Sequence, residues 1–102
     1  MKKRFPLYQP CDIVLYKHRV TEVDFTPVKI AALLGWDRIG MYWYIVIDER
    51  RALTGIREDW LKSAEGLTTK QMSRLSAVMP RAEQLESLIA SLPERYGIIR
   101  EF

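Results

Sequence analysis

A chain of 102 residues, 48% hydrophobic and 28% charged, carries enough apolar material for one modest core and is too rich in it for a disordered tail. The longest apolar run, Met41 to Ile47, is far too short to cross a bilayer. A net charge of +3 spread evenly along the chain permits contact with a polyanion without specifying one, and Cys11 is the one cysteine, which excludes a disulfide framework or a cysteine-built metal site.

Residues 1 to 10 read as a basic arm that becomes ordered near Phe5 or Leu7. Pro6, Gln9, Pro10 and Asp12 break up the apolar stretch that a secretory signal would need behind Lys2, Lys3 and Arg4, so the protein is read as cytoplasmic. Cys11 to Tyr16 suits a first strand. After a polar interruption at Lys17, His18 and Arg19, Val20 to Phe25 alternates cleanly and predicts a second strand, or an extension of the first across a bulge. Thr26-Pro27 is a helix-start pair, with Thr26 as cap and Pro27 at the first helical position. A short inserted helix is therefore expected over 27–34, stopped at Gly35. Asp37 to Gly40 then turns the chain.

Met41 to Ile47 is the strongest strand signal in the chain. Trp43, Ile45 and Ile47 fall on one face and Tyr42, Tyr44 and Val46 on the other. Neither face is polar, which predicts a central strand covered on both sides. Asp48 to Arg51 supply a turn, and Ala52 to Ile56 a second, shorter strand. Glu58 to Ser63 is expected to form a short helical turn. Thr68 and Gln71 have the spacing of a capping box, and apolar residues follow at Met72, Leu75, Met79, Ala82, Leu85, Ile89 and Leu92, the period of an amphipathic helix. Pro80 predicts a kink, favoured because the stripe stays in phase across it, or a break into 68–78 and 80–92. Pro93 is expected to end the helix, with 97–102 returning as an edge strand through Ile98 and Ile99. The fold class read from this pattern is α+β in a single domain, 1–102: a small, mostly antiparallel sheet or partial barrel over 7–61 and a helical part over 68–92.

Two stretches carry a likeness to a known family. Tyr8-Gln9-Pro10-Cys11-Asp12-Ile13-Val14-Leu15-Tyr16 resembles a first strand behind a short proline- and aspartate-containing lead-in. Tyr44-Ile45-Val46-Ile47-Asp48, the turn at Glu49-Arg50-Arg51, and Gly55-Ile56-Arg57-Glu58-Asp59-Trp60-Leu61 resemble the late strands and their acidic, apolar close. Together residues 7–61 resemble the small SH3-like barrels of the KOW type, although Cys11 stands where that family usually has glycine, and a helix at 27–34 is atypical of it. The resemblance implies a partial SH3-like barrel and a module that binds proteins or nucleic acids. A plain layered α+β fold, with sheet on one side and helices on the other, accounts for the same pattern.

For chemistry, the chain offers little. His18 and Cys11 are the one histidine and the one cysteine, and their odd separation would put them on opposite faces of a strand. Cys11 reads as a small buried side chain and His18 as an exposed loop residue. Glu58-Asp59 and Asp48-Glu49 are adjacent turn residues, and the five glycines are isolated, so no phosphate loop exists. No catalytic residue, metal or cofactor is expected, and the protein is read as not an enzyme. The function expected is protein–protein interaction by a small accessory protein of bacterial type. Met72, Leu75, Met79, Leu85, Ile89 and Leu92 form the candidate surface for a partner or a second copy. The edge strand predicted at Val20 to Phe25 is a second candidate. The alternative is nucleic-acid binding, with Arg50, Arg51 and Arg57 on phosphate and Tyr42 or Tyr44 stacking on bases, unless the tyrosine face is packed under the C-terminal helices. No membrane partner is expected.

Overall fold

The computed structural model describes residues 5–17 and 25–100. Among these residues five strands and two helices follow in chain order: β1 (Ile13–Lys17), β2 (Phe25–Trp36), β3 (Tyr42–Ile47), β4 (Leu53–Arg57), β5 (Leu61–Ser63), α1 (Thr69–Ala77) and α2 (Ala82–Tyr96). A single 3₁₀ turn, Glu58–Trp60, links β4 to β5. The strands form one sheet in the order β4-β3-β2-β1-β5, and every neighbouring pair is antiparallel. This is an α+β fold, as the sequence predicts. The strand expected at Val20 to Phe25, and with it His18, lies outside the described residues apart from Phe25, which begins β2.

β3 is buried on both faces because its two sets of side chains meet different covers. Tyr42, Tyr44 and Val46 join Tyr8, Val14, Val28, Ile30, Ile56 and Leu61 in one cluster. On the opposite face Ile45 packs with Leu34, Leu92 and Ile98, and Trp43, Leu53, Leu85, Leu88 and Ile89 surround them. Each large side chain removed from water contributes about 1.5–3 kcal/mol, so the two clusters together organise the fold. The tyrosine face is not packed under the C-terminal helices. Tyr8 from the N-terminal arm and the flanking strands close it, while α2 lies on the face of Ile45.

The helix expected over 27–34 is not there; those residues belong to the twelve-residue strand β2. Its first half pairs with β1 (Leu15 opposite Pro27, Ile13 opposite Lys29) and its second with β3, from Lys29 opposite Ile47 to Trp36 opposite Tyr42. Two pairing partners outweigh the helical leaning of Ala31 to Leu34 and the local start signal at Thr26-Pro27. Pro27 is tolerated because pairing with β3 begins only at Lys29, so its missing N–H falls where β2 is paired on one side. Register shifts between Ile30 and Ala32 and between Leu33 and Gly35 bend the strand across the sheet.

Glu58 to Ser63 holds only the short 3₁₀ turn, after which Leu61–Ser63 pairs with β1 (Tyr16 opposite Leu61, Val14 opposite Ser63). The capping box is present: the Thr68 hydroxyl accepts from Gln71 N and the Gln71 side chain accepts from Thr68 N. At Pro80 the helix breaks rather than kinks. Val78 and Arg81 are extended, and the buried Lys29 Nζ donates to the carbonyls of Ser76 and Val78, closing the open C-terminal end of α1. Pro93 does not end α2. The helix runs to Tyr96 and stops at Gly97 in the left-handed conformation, with Gly97 N and Ile98 N both donating to Pro93 O. Of the expected last strand, one bridge forms: Ile99 exchanges both hydrogen bonds with Trp36 (2.7 and 3.1 Å). Gly35 makes that approach possible, since a Cβ there would lie 2.0 Å from Ile99 O.

Candidate interaction surface

The residues singled out in the sequence are scattered by the fold. Of the helical stripe, Leu75 and Leu92 are fully inside, and Leu85 and Ile89 are half-buried against the sheet. Met72 and Met79 remain exposed. Tyr42 and Tyr44 are buried, so neither offers a ring to a base. Arg50 and Arg51 are exposed at the tip of the β3–β4 turn, shaped by the Asp48 carboxylate, which accepts from Arg50 N and Ala52 N. Arg57 stands apart from them, held by Asp59 through two 2.7 Å hydrogen bonds; that pairing raises its pKa. Cys11 is exposed, not buried as expected: it lies in the turn entering β1, at φ 79°, and not within the strand. Among the described residues no three His, Cys, Asp or Glu side chains converge as metal ligands, and no helix is long and apolar enough to cross a membrane.

The buried polar groups have structural partners. Tyr44 Oη donates to Glu58 Oε2 at 2.6 Å, and the same oxygen accepts from Leu7 N at 3.2 Å. Tyr8 N donates to Tyr44 Oη at 3.3 Å, and the two rings meet edge to face at 5.8 Å. Burial first, then the bond to Glu58, pushes the Tyr44 hydroxyl pKa far up, so it stays a donor at any ordinary pH. This knot ties the arm to the sheet.

The surface that the fold does assemble lies at the other end of β3. The 37–41 turn is locked by one side chain: Asp37 Oδ1 accepts from Ile39 N (3.1 Å) and Met41 N (3.0 Å), and Asp37 Oδ2 accepts from Trp43 Nε1 (3.0 Å). Burial alone would raise the Asp37 pKa. The three hydrogen bonds and the nearby Arg57 charge outweigh it and hold the carboxyl below its usual value. The turn presents Ile39 to solvent at 75% exposure. Tyr96 at the end of α2 stacks on Trp43, with centroids 4.7 Å apart and planes 15° from parallel, and keeps 40% of its surface open. Ile99, held beside β2 by its bridge to Trp36, is 41% exposed. Between the turn and α2 opens a shallow pocket of about 300 Å³ lined by Asp37, Arg38, Ile39, Tyr96 and Gly97.

None of these pocket residues was a candidate in the sequence. The signal available was Ile39, an aliphatic residue inside an otherwise polar turn, Asp-Arg-Ile-Gly, where nothing local buries it. The contribution of Tyr96 was hidden because Pro93 marks the helix as finished. Compared with known protein families, with characterised proteins and with solved structures, the chain matches none.

Proposed function

We propose that this protein is a non-catalytic protein-binding module that works through the end of the molecule formed by the 37–41 turn, the C-terminal end of α2 and Ile99. One observation carries the proposal. Both faces of the sheet are sealed by the chain itself, yet Ile39 and Tyr96 stay exposed beside one pocket, on elements held by hydrogen bonds and ring stacking, and Ile99 is exposed on the segment bridged to Trp36. Tyrosine beside tryptophan and arginine is the residue mixture found at the energetic centres of protein interfaces. The SH3-like reading of residues 7–61 has support in the return of β5 onto β1, which brings the last strand of that segment beside the first, as closure of a barrel requires. Self-association through the helices would rest on Met72 and Met79, the stripe residues left in solvent.

The test is sedimentation equilibrium of the pure chain at low and high salt, with and without a mixed-sequence oligonucleotide, joined to photo-crosslinking from position 39 after the chain is mixed with a cell extract. A monomer that ignores the oligonucleotide and gives a discrete protein adduct from position 39, competed by unlabelled wild type but not by Ile39→Asp, is the expected result. A salt-resistant dimer abolished by Met79→Asp would move the interface to the helices. Comigration with the oligonucleotide at low salt alone would overturn protein binding in favour of phosphate contacts.

A further inference from the structure

The two edges of the sheet are built differently. β5 is three residues long with Lys62 at its centre, the short, charged form by which proteins blunt an open edge. β4 is five residues long, Leu-Thr-Gly-Ile-Arg, and its one charge, Arg57, is tied to Asp59. Among the described strands β4 has a neighbour on one side only, β3. Asp48 N donates to Ala52 O, so the hydrogen-bonded pairs alternate from there through Val46 opposite Thr54 and Tyr44 opposite Ile56. Thr54 and Ile56 thus direct their main-chain groups at β3. The N–H and C=O of Leu53 and Gly55, and the N–H of Arg57, point outward, and no hydrogen bond among the described residues reaches them. The same edge is walled on one face by α2: a Cβ on Gly55 would lie 2.8 Å from Leu92 Cδ1 and 3.6 Å from Tyr96 Cε2. At the start of β4 a pocket of about 440 Å³ opens between strand and helix. Leu53 and Leu88 are its apolar lining, Gln84 and Ser87 its polar one, and Arg51 and Glu83 bring opposite charges to it.

We infer that β4 takes up an extended segment of another protein as an added strand, and that the residue opposite Leu53 places a large neutral side chain in this pocket. The outward N–H and C=O groups of Leu53 and Gly55 call for the alternating donors and acceptors of an extended main chain, which supply the binding, while the pocket supplies the selectivity. The side chain of Leu53 faces α2, so the residue paired with it faces the pocket as well. The opposite charges of Arg51 and Glu83 remove any preference for a charged side chain of either sign. A second copy of this chain fits less well. An edge about 17 Å long with one pocket buries far less than the roughly 1,200 Å² of a stable dimer, but it suffices for a short peptide strand. This is a second binding surface, and it does not rest on the one at Ile39.

The full chain would be mixed with three capped heptapeptides and followed by amide hydrogen exchange and NMR titration. The first is Lys-Thr-Val-Tyr-Val-Thr-Lys, the second has Ala in place of Tyr, and the third carries N-methyl groups on Tyr and both Thr, which removes the donors of one edge. With the first peptide the amides of Leu53, Gly55 and Arg57 should exchange at least about tenfold more slowly, while those of Thr54 and Ile56 stay as they were. The Ala peptide should bind several-fold more weakly, and the methylated one should protect none of the three amides. Ser87→Trp fills the pocket from an exposed helix position and should weaken the Tyr peptide several-fold. Absence of protection at the three amides with every peptide, or equal protection by the methylated one, would overturn strand addition. Protection in the free chain that rises with its own concentration would give the edge to a second copy and overturn it too. Equal binding of the Tyr and Ala peptides would overturn the role of the pocket. None of these results depends on the crosslinking from position 39, so the two surfaces are judged separately.

Discussion

Replacing Tyr44 by phenylalanine isolates the hydrogen-bond knot that ties the N-terminal arm to the sheet. The ring is fully buried and keeps its edge-to-face contact with Tyr8 in the variant, so no cavity is created. What disappears is the 2.6 Å bond to Glu58 and the weaker 3.3 Å bond from Tyr8 N. A hydroxyl-to-carboxylate distance of 2.6 Å falls within the charge-assisted range of roughly 2.5–2.7 Å. A hydrogen bond to a charged group contributes about 1.5–3 kcal/mol, and the bond from Tyr8 adds little at its length. The loss should therefore be about 2–3 kcal/mol, which lowers the melting temperature of a domain this size by roughly 10–15 °C. Urea denaturation followed by tryptophan fluorescence measures it directly, and amide exchange at Leu7 and Tyr8 should quicken in parallel. Glu58→Gln should cost less, about 1 kcal/mol, because the amide oxygen still accepts from Tyr44. The double variant should fall short of additivity by about 1 kcal/mol. A Tyr44→Phe protein within about 0.5 kcal/mol of wild type would refute the assignment of the knot as a stabilising contact.

Gly35→Ala should destabilise by about 3 kcal/mol or more, since φ is +140° and the new Cβ would meet Ile99 O at 2.0 Å. The bridge to Ile99 should open, and fast exchange of the Ile99 amide without loss of the sheet would show it; a wild-type melt would rule that contact out. Lys29→Met keeps the aliphatic stem and removes the ammonium that holds the carbonyls of Ser76 and Val78. It should cost about 1–2 kcal/mol and loosen the end of α1, whereas a neutral or more stable variant would show that the buried charge is no anchor. Asp37→Asn loses the acceptor for Trp43 Nε1 and should cost about 1 kcal/mol at neutral pH. Because the folded carboxyl titrates below its unfolded value of about 3.9, that stabilisation is present above this pH and vanishes as the pH falls through the folded pKa. Stability curves of wild type and variant should therefore converge in acid, and a constant gap would contradict the role of the carboxylate.

Local features were legible in the sequence wherever one short-range rule had no competitor. The alternation of Met41 to Ile47, the polar turn at Asp48, and the Thr68–Gln71 pair each led to the structure found. The failures share a cause. Thr26-Pro27 and the alanine–leucine run look helical for nearest neighbours, but β1 and β3 are far along the chain, and only their pairing makes 25–36 a strand. Pro93 reads as a stop because a sequence cannot show that Trp43, fifty residues earlier, will stack on Tyr96 and hold one more turn. The interaction surface went unseen for the same reason. Its residues come from 37–41 and 95–99, and nothing in either stretch announces the other.

The two-sided burial of β3 also fixes an order of assembly. A nascent chain holds all five strands once Ser63 has left the ribosome, since β5 completes the pairing with β1. The tyrosine side can close at that moment, because Tyr8, Val14, Ile56 and Leu61 are all present. The side of Leu34, Ile45 and Trp43 cannot, because Leu92 and Ile98 have yet to be synthesised. For that interval the protein is half a sandwich with one wet hydrophobic wall, the state in which a chaperone, or a neighbouring chain, would find it most adhesive.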